Sequence, residues 1–320
     1  MTLFFAYLLF LVISAALVLA VLAWYSAGVA RRIEAALPPQ GRFVDVDGVR
    51  LHLRDEGSGP PLLLVHGLQG QMGNFNFGAM AELSRSHRVI AVDRPGAGYS
   101  SSAPGMGADL ASQARILARL IEELGLERPT VVGHSLGGAV ALALALDHPH
   151  AVGALALVAP LSHPAQDVPP VFRALAIRSR PVLRLVAWTL AVPATVIGGR
   201  KVVAQVFAPE PVPPDFGTRG GGLLSMRPRQ FLAAAADMQA LEGHLAALAA
   251  RYRLLDVPLA VLVGRGDGIL DWRANGQALV DQVPGARLEL VDGGHMLPVT
   301  RPDVTARFIV EASGARRLAA

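Results

Sequence analysis

Residues 129–144 read Pro129-Thr130-Val131-Val132-Gly133-His134-Ser135-Leu136-Gly137-Gly138-Ala139-Val140-Ala141-Leu142-Ala143-Leu144. A short β-branched run, a turn with glycine on both sides and an apolar helical run follow one another without a gap. The glycines let the backbone turn sharply without a Cβ clash, so Ser135 can stand at a strained corner above a sheet. The next amide, on Leu136, opens the helix and points into the same space, ready for an oxyanion. A serine is a poor nucleophile unless a base accepts its proton. This corner therefore calls for a base, a carboxylate behind that base and a second oxyanion donor.

Outward from the corner, strands alternate with helices. Phe43-Val44-Asp45-Val46 and Val49-Arg50-Leu51-His52-Leu53-Arg54 alternate in polarity around Asp47-Gly48, a hairpin signal. Residues 62–65 and 89–92 are continuous apolar runs, the pattern of parallel strands buried on both faces. Residues 109–124 space Leu110, Ile116, Leu117, Leu120, Ile121 and Leu124 as an amphipathic helix. Further strands are expected at 154–158, 259–263 and 287–291, with helices near 272–282 and 301–312. The alternation predicts an α/β protein whose mostly parallel, twisted, doubly wound sheet carries helices on both faces.

Open α/β sheets place ligands beyond the carboxyl ends of their strands, and three such ends supply partners for Ser135. His295 stands in Asp292-Gly293-Gly294-His295-Met296, just past the last strand, where the glycine pair can carry a loop over the sheet edge. It is the expected base, because imidazole exchanges protons near neutral pH. Asp267, in Gly264-Arg265-Gly266-Asp267 after strand 259–263, is the expected carboxylate that fixes the imidazole tautomer. Asp271 is the alternative, although it better suits the N-cap of the helix that follows. His66-Gly67-Leu68-Gln69-Gly70 follows strand 62–65 and offers the Leu68 amide as the second oxyanion donor. His66 reads as a structural hydrogen-bonder beneath that loop, and His134 as pointing away from the pocket. The turn Asp93-Arg94-Pro95-Gly96-Ala97-Gly98-Tyr99-Ser100 is no phosphate loop, because it lacks the closing Lys-Ser/Thr and Pro95 removes an amide. No His/Asp/Glu cluster has metal-ligand spacing, so neither a metal nor a cofactor is expected.

Two segments stand outside this frame. Residues 3–24 carry no charge; as a helix they would be roughly 33 Å long, enough to cross a hydrocarbon core of about 30 Å. Trp24 and Tyr25 sit where interfacial aromatics belong, and Arg31-Arg32 follow. A secretory signal has a basic n-region and a shorter apolar core, so the segment reads as an uncleaved, single-pass transmembrane anchor. The positive-inside bias then puts the remainder in the cytoplasm. Residues 161–256 break the strand–helix rhythm, are rich in Pro and Arg, and lie between two strands, as an inserted helical cap would. The expected division is an anchor at 1–28, core at 29–160, cap at 161–256 and core again at 257–320. The cap holds eleven basic residues against six acidic ones and so carries +5, while the rest of the chain carries −1; the basic surplus resides in the cap. That surplus fits a cap drawn to anionic lipid or an ordinary solvated surface; Pro181 is expected to split the helix that would align Arg173 with Arg180 and Arg184. No recognition motif or basic–aromatic interleaving accompanies the charge, which argues against nucleic acid as a partner. The chain has no cysteine, which excludes disulfides and thiolate metal sites.

With His66-Gly67, residues 93–100, residues 133–138, Gly264-Arg265-Gly266-Asp267 and Gly294-His295 in this order, the chain resembles the α/β-hydrolase fold family, in its cap-bearing, lipase- or esterase-like branch. The resemblance runs from about residue 43 to the C-terminus, except for the cap. It implies that Ser135, Asp267 and His295 act as a triad, that the Leu68 and Leu136 amides hold the oxyanion, and that water releases the acyl group. Epoxide hydrolases and dehalogenases of this family resemble one another in using an aspartate nucleophile, so Ser135 argues against both. Phe172, Leu175, Leu183, Trp188 and Leu190 in the cap, together with the anchor, suggest a hydrophobic, lipid-like or medium-chain ester as substrate. A C–C bond hydrolase is the enzymatic alternative. A membrane-anchored ligand-binding protein of low turnover is the non-enzymatic one.

Overall fold

The alternating runs around Asp47-Gly48 form an antiparallel hairpin, β1 (Arg42–Val46) and β2 (Val49–Glu56), in the computed structural model, which describes residues 2–164 and 169–314. Asp47 and Gly48 both take positive φ, 48° and 78°, as a tight turn between twisted strands requires. The apolar runs become β3 (Pro61–Val65), β4 (Arg88–Val92), β5 (Thr130–His134), β6 (Ala154–Val158), β7 (Leu259–Gly264) and β8 (Arg287–Val291). Together they make one eight-stranded sheet in the order β1-β2-β4-β3-β5-β6-β7-β8. Both pairings of β2 are antiparallel and all others parallel. β5, β6 and β7 are buried along their whole length, which is why they read as continuous apolar runs. The edge strand β8 is only half-buried.

α1 (Thr2–Ala36) precedes the sheet, and α2 (Ala79–Leu83), α3 (Leu110–Glu123) and α4 (Leu136–Asp147) connect its strands. Asp109 caps α3 by accepting from the Ser112 amide at 2.9 Å. Between β6 and β7 come α5 (Arg180–Val186), α6 (Val192–Phe207), α7 (Pro228–Leu241) and α8 (His244–Ala249). The helix expected near 272–282 is a π-helical turn at 273–277 that runs into the short α9 (Ala278–Val280). α10 (Leu297–Thr300) and α11 (Pro302–Gly314) follow β8. α3 and α4 cover one face of the sheet, with Leu117, Ile121, Val140 and Leu144 against Leu63, Val131 and Leu155. α2 and α11 cover the other, with Leu83, Phe308 and Ile309 against Leu62, Leu64 and Val132. Burying each such side chain contributes about 1.5–3 kcal/mol, so both layers are held chiefly by apolar burial.

The helical insertion between β6 and β7 has a small core of its own, Leu175, Leu183, Ala234 and Ala235. Pro181 sits in the first turn of α5, where its missing N–H is harmless, and α5 is thereby separate from the 3-10 turn at 170–176 that carries Arg173. A π-helical turn at 187–191 joins α5 to α6, so 180–207 form one rod.

α1 does not end with its apolar segment but runs unbroken to Ala36. Its first half is exposed, whereas Ser26 and Ile33 are buried and Leu19, Leu22, Ala23 and Ala30 half-buried. From Leu19 to Ser26 that three-to-four spacing is one helix face; burial then extends round the helix over residues 26–30, and α1 packs on the 187–191 turn, α6 and the 222–226 turn of the insertion. Glu34 pairs with the buried Arg227 at 3.1 Å, and the Tyr99 hydroxyl donates to the Leu37 carbonyl.

Candidate active site

Ser135 lies between β5 and α4 with φ 54° and ψ −122°, a conformation that a non-glycine residue holds only where its surroundings enforce it. The enforcement is visible. Its amide donates to the Val158 carbonyl at 3.1 Å, and its carbonyl accepts from the Gly138 and Leu161 amides at 2.8 and 2.9 Å. Gly137 has to be glycine, since a Cβ there would lie 2.2 Å from the Val65 carbonyl oxygen. Gly67 lets the loop after β3 approach the serine, because a Cβ there would lie 2.8 Å from that of Ser135. Leu68 and Leu136 flank the serine along the wall of one cavity. Among the described residues, neither of their amides donates to another protein group.

His295 Nε2 is 3.0 Å from Ser135 Oγ, and its Nδ1 is 2.8 Å from Asp267 Oδ2. A carboxylate only accepts, so Nδ1 carries the proton and Nε2 is free to accept from the serine. Asp267 Oδ1 accepts from the Ile269 and Leu270 amides at 2.8 and 2.9 Å. Burial opposes ionisation of Asp267, but the His295 charge, the His295 hydrogen bond and the two amides outweigh it and hold the carboxyl below the usual range. The five residues singled out in the sequence, Ser135, Asp267, His295, Leu68 and Leu136, thus meet at the carboxyl edge of the sheet. Asp271 stands apart and caps the 273–277 turn, accepting from the Arg273 and Ala274 amides at 2.6 and 3.2 Å.

His66 is the hydrogen-bonder expected beneath the loop. Its Nε2 accepts from the Arg94 amide at 3.0 Å and its Nδ1 donates to the Gly67 carbonyl at 2.9 Å. Complete burial, reinforced by the Arg94 guanidinium, pushes its pKa down to about 3. His134 borders the cavity, and its buried side chain runs from the end of β5 to the loop that carries His295. Its Nε2 donates to the His295 carbonyl at 3.0 Å. Burial, and next the charge of His295, lower its pKa to about 3.

The cavity measures about 1150 Å³ and is walled on the insertion side by Phe172, Val203, Val206, Phe216 and Met238. Of the five apolar residues that the sequence marks in this insertion, Phe172 lines it. Leu175 and Leu183 instead fill the insertion's own core, and Trp188 and Leu190 face outward, 43% and 53% exposed.

Two ties between the insertion and the site were not apparent in the sequence. Arg94 is fully buried and donates to the His66 and Gly67 carbonyls at 2.9 and 3.1 Å, to Gln113 at 2.7 Å and to Asp237 at 2.9 Å. Asp237 belongs to α7, so this pair links the insertion to the loop bearing Leu68. Glu210 accepts from the Gly294 amide at 2.8 Å and links it to the loop bearing His295. The available signal was Asp237 itself, the one acid in the alanine-rich α7.

Residues 60–195 match the family model described as alpha/beta hydrolase fold. An uncharacterised protein of Mycobacterium bovis is 31% identical over 87% of this chain and 82% of its own length. The chain belongs to the α/β-hydrolase fold family. It is a hydrolase-family chain, and a small molecule is the kind of substrate the fold implies. A 2-hydroxy-6-oxo-2,4-heptadienoate hydrolase of Pseudomonas putida is 40% identical over 37% of this chain and 44% of its own length. An acetyltransferase component of an acetoin-cleaving system from Cupriavidus necator is matched over only 32% of its length. Among solved structures, a membrane phospholipase A is similar with a TM-score of 0.69 and 25% identity over 99% of both chains.

Proposed function

We propose that this chain is a membrane-anchored serine hydrolase that cleaves a carboxylic ester with a hydrophobic acyl group. The reading is carried by the contact line Ser135 Oγ to His295 Nε2 to Asp267, 3.0 and 2.8 Å, which ends in the wall of an apolar cavity. His295 takes the Ser135 proton as Oγ bonds to the ester carbonyl carbon, and the Leu68 and Leu136 amides receive the charge on the carbonyl oxygen. Collapse breaks the ester C–O bond, the alcohol leaves with the proton from His295, and the acyl group stays on Ser135. A water deprotonated by His295 then attacks, and the acid leaves as the proton returns to Ser135. Asp267 holds the Nδ1 proton and stabilises the imidazolium throughout. The likeness to a membrane phospholipase A along nearly both full chains supports the ester and the anchor. Arg31 and Arg32 beyond the apolar segment support a cytoplasmic catalytic domain.

The test is labelling of the detergent-solubilised chain by a fluorophosphonate probe, with a panel of p-nitrophenyl esters from acetyl to octanoyl. The expected result is labelling that vanishes in Ser135→Ala, with octanoyl preferred over acetyl. Undiminished hydrolysis by Ser135→Ala refutes the assignment, and absent labelling with no turnover moves the chain to a binding role. The likeness to the heptadienoate hydrolase favours a second reading, cleavage of a C–C bond in a 2-hydroxy-6-oxo-dienoate by the same serine. Turnover of that substrate with none of the esters would select it.

A further inference from the structure

The 180–207 rod is apolar yet only 28% buried along its most apolar stretch. Leu183, Ala187, Thr189, Val192 and Phe207 hold it to the rest of the insertion. Its other sides present Val182, Leu185, Trp188, Leu190, Val196 and Ile197, the last 87% exposed. Contiguous apolar surface of this kind marks a docking site, and three observations identify what it meets. The rod packs against α1 from Leu19 onward, so the medium around the apolar half of α1 also reaches the rod. Arg180, Arg184, Arg200 and Lys201 lie exposed among the apolar residues, the composition of a helix at an anionic headgroup boundary. Val196, Arg200 and Val202 are both exposed and part of the cavity wall, so the cavity reaches this surface.

We propose that the rod is an in-plane membrane helix, bedded in the headgroup–acyl boundary of the leaflet next to α1, and that the cavity opens onto that leaflet to receive an acyl chain directly from it. The rod does not span, because its buried side chains tie it to the insertion and because Arg184, Arg200 and Lys201 would enter hydrocarbon. The acyl-chain part rests on the serine-hydrolase reading; the docking part does not.

The chain has no cysteine, so Ile197→Cys gives a single nitroxide site in the full-length protein, reconstituted into phosphatidylcholine–phosphatidylglycerol vesicles. Glu82→Cys, exposed on α2, is the reference. The Ile197 label should be open to oxygen and shielded from a water-soluble nickel chelate, and the Glu82 label the reverse. Equal chelate access at both sites overturns the docking. So does spin–spin broadening at Ile197 that disappears on dilution with unlabelled protein and comes without oxygen access, since it assigns the surface to a second copy. Labels at Arg180→Cys and Lys201→Cys should be reached from the same side of the bilayer; opposite sides would mean a span and also overturn it. For the cavity, Leu185→Glu/Leu190→Glu/Ile197→Glu should lower hydrolysis of a hexadecanoyl ester dissolved in the vesicles by about ten-fold or more while moving turnover of a soluble butyryl ester less than about two-fold. Equal loss on both substrates, or on neither, overturns the opening onto the leaflet. If the unaltered chain hydrolyses neither ester, the ester-hydrolase reading fails while the labels still decide the docking.

Discussion

Asp237→Asn preserves shape and turns one acceptor oxygen into a donor. Asp237 Oδ2 accepts from Arg94 Nη2 at 2.9 Å and Oδ1 from Gln113 Nε2 at 3.0 Å. Whichever way the new amide is turned, one of those donors faces another donor. Turning Gln113 over gives no relief, because its Oε1 accepts from Arg94 Nη1 at 2.7 Å and its Nε2 also donates to the Ala108 carbonyl at 2.8 Å. Arg94 cannot discharge and is 0% exposed, with Asp237 at 6%. Removing one partner of a buried pair costs about 3–5 kcal/mol. One hydrogen bond survives in Asn, so about 3 kcal/mol is expected, more than about a hundred-fold in the folding equilibrium. Urea unfolding in detergent, followed by tryptophan fluorescence, should show the midpoint lowered by about 1 M at an m-value of about 3 kcal/mol/M. Arg94 also holds the His66 and Gly67 carbonyls, so ester turnover should fall about ten-fold through kcat, with KM moved less. A stability within about 0.5 kcal/mol of the unaltered chain, smaller than almost any buried-charge effect, would refute the argument.

Asp267→Asn should lower kcat by about 10³–10⁴-fold by presenting the wrong imidazole tautomer to Ser135. Asp271→Asn, which touches only a helix cap, should leave turnover nearly unchanged, and steady-state ester hydrolysis separates the two. His66 and His134 stay neutral in the fold with pKa values of about 3 against 6.5 when unfolded. Below pH 6.5 the unfolded chain therefore takes up protons that the folded one refuses. Stability is full above that pH and falls toward pH 3, by about 1.4 kcal/mol per pH unit for each histidine. His134→Gln should remove one histidine's share of that slope in unfolding measured between pH 7 and 5; an unchanged slope contradicts the neutral assignment.

The inner strands were legible because they are short, apolar and buried on both faces, and β1 and β2 because their polarity alternates around Asp47-Gly48. The partners of Ser135 were legible because each follows a strand directly and is accompanied by glycine. Arg94 and Asp237 were not, since they lie 143 residues apart and nothing local in either segment names the other. The outward course of Trp188 and Leu190 was hidden for a related reason. An apolar residue in a helix reads as core or pocket until the face already taken by Leu183 and Ala187 is known. The reach of α1 to Ala36 was obscured by Arg31, Arg32 and Glu34, which break the hydropathy pattern but are good helix formers.

The continuity of α1 makes residue number a mechanical setting. A helix advances about 1.5 Å and turns about 100° with each residue. Residues 2–13 are exposed around the whole circumference, so any other apolar residues should serve there equally well. The count of residues upstream of Ser26 is another matter. One residue inserted after Val18 would turn that exposed half by about 100° and lengthen it by about 1.5 Å relative to everything that Ser26, Ile33 and Glu34 grip. Because that half is exposed on every side, the turn should pass unnoticed, and its length alone should matter.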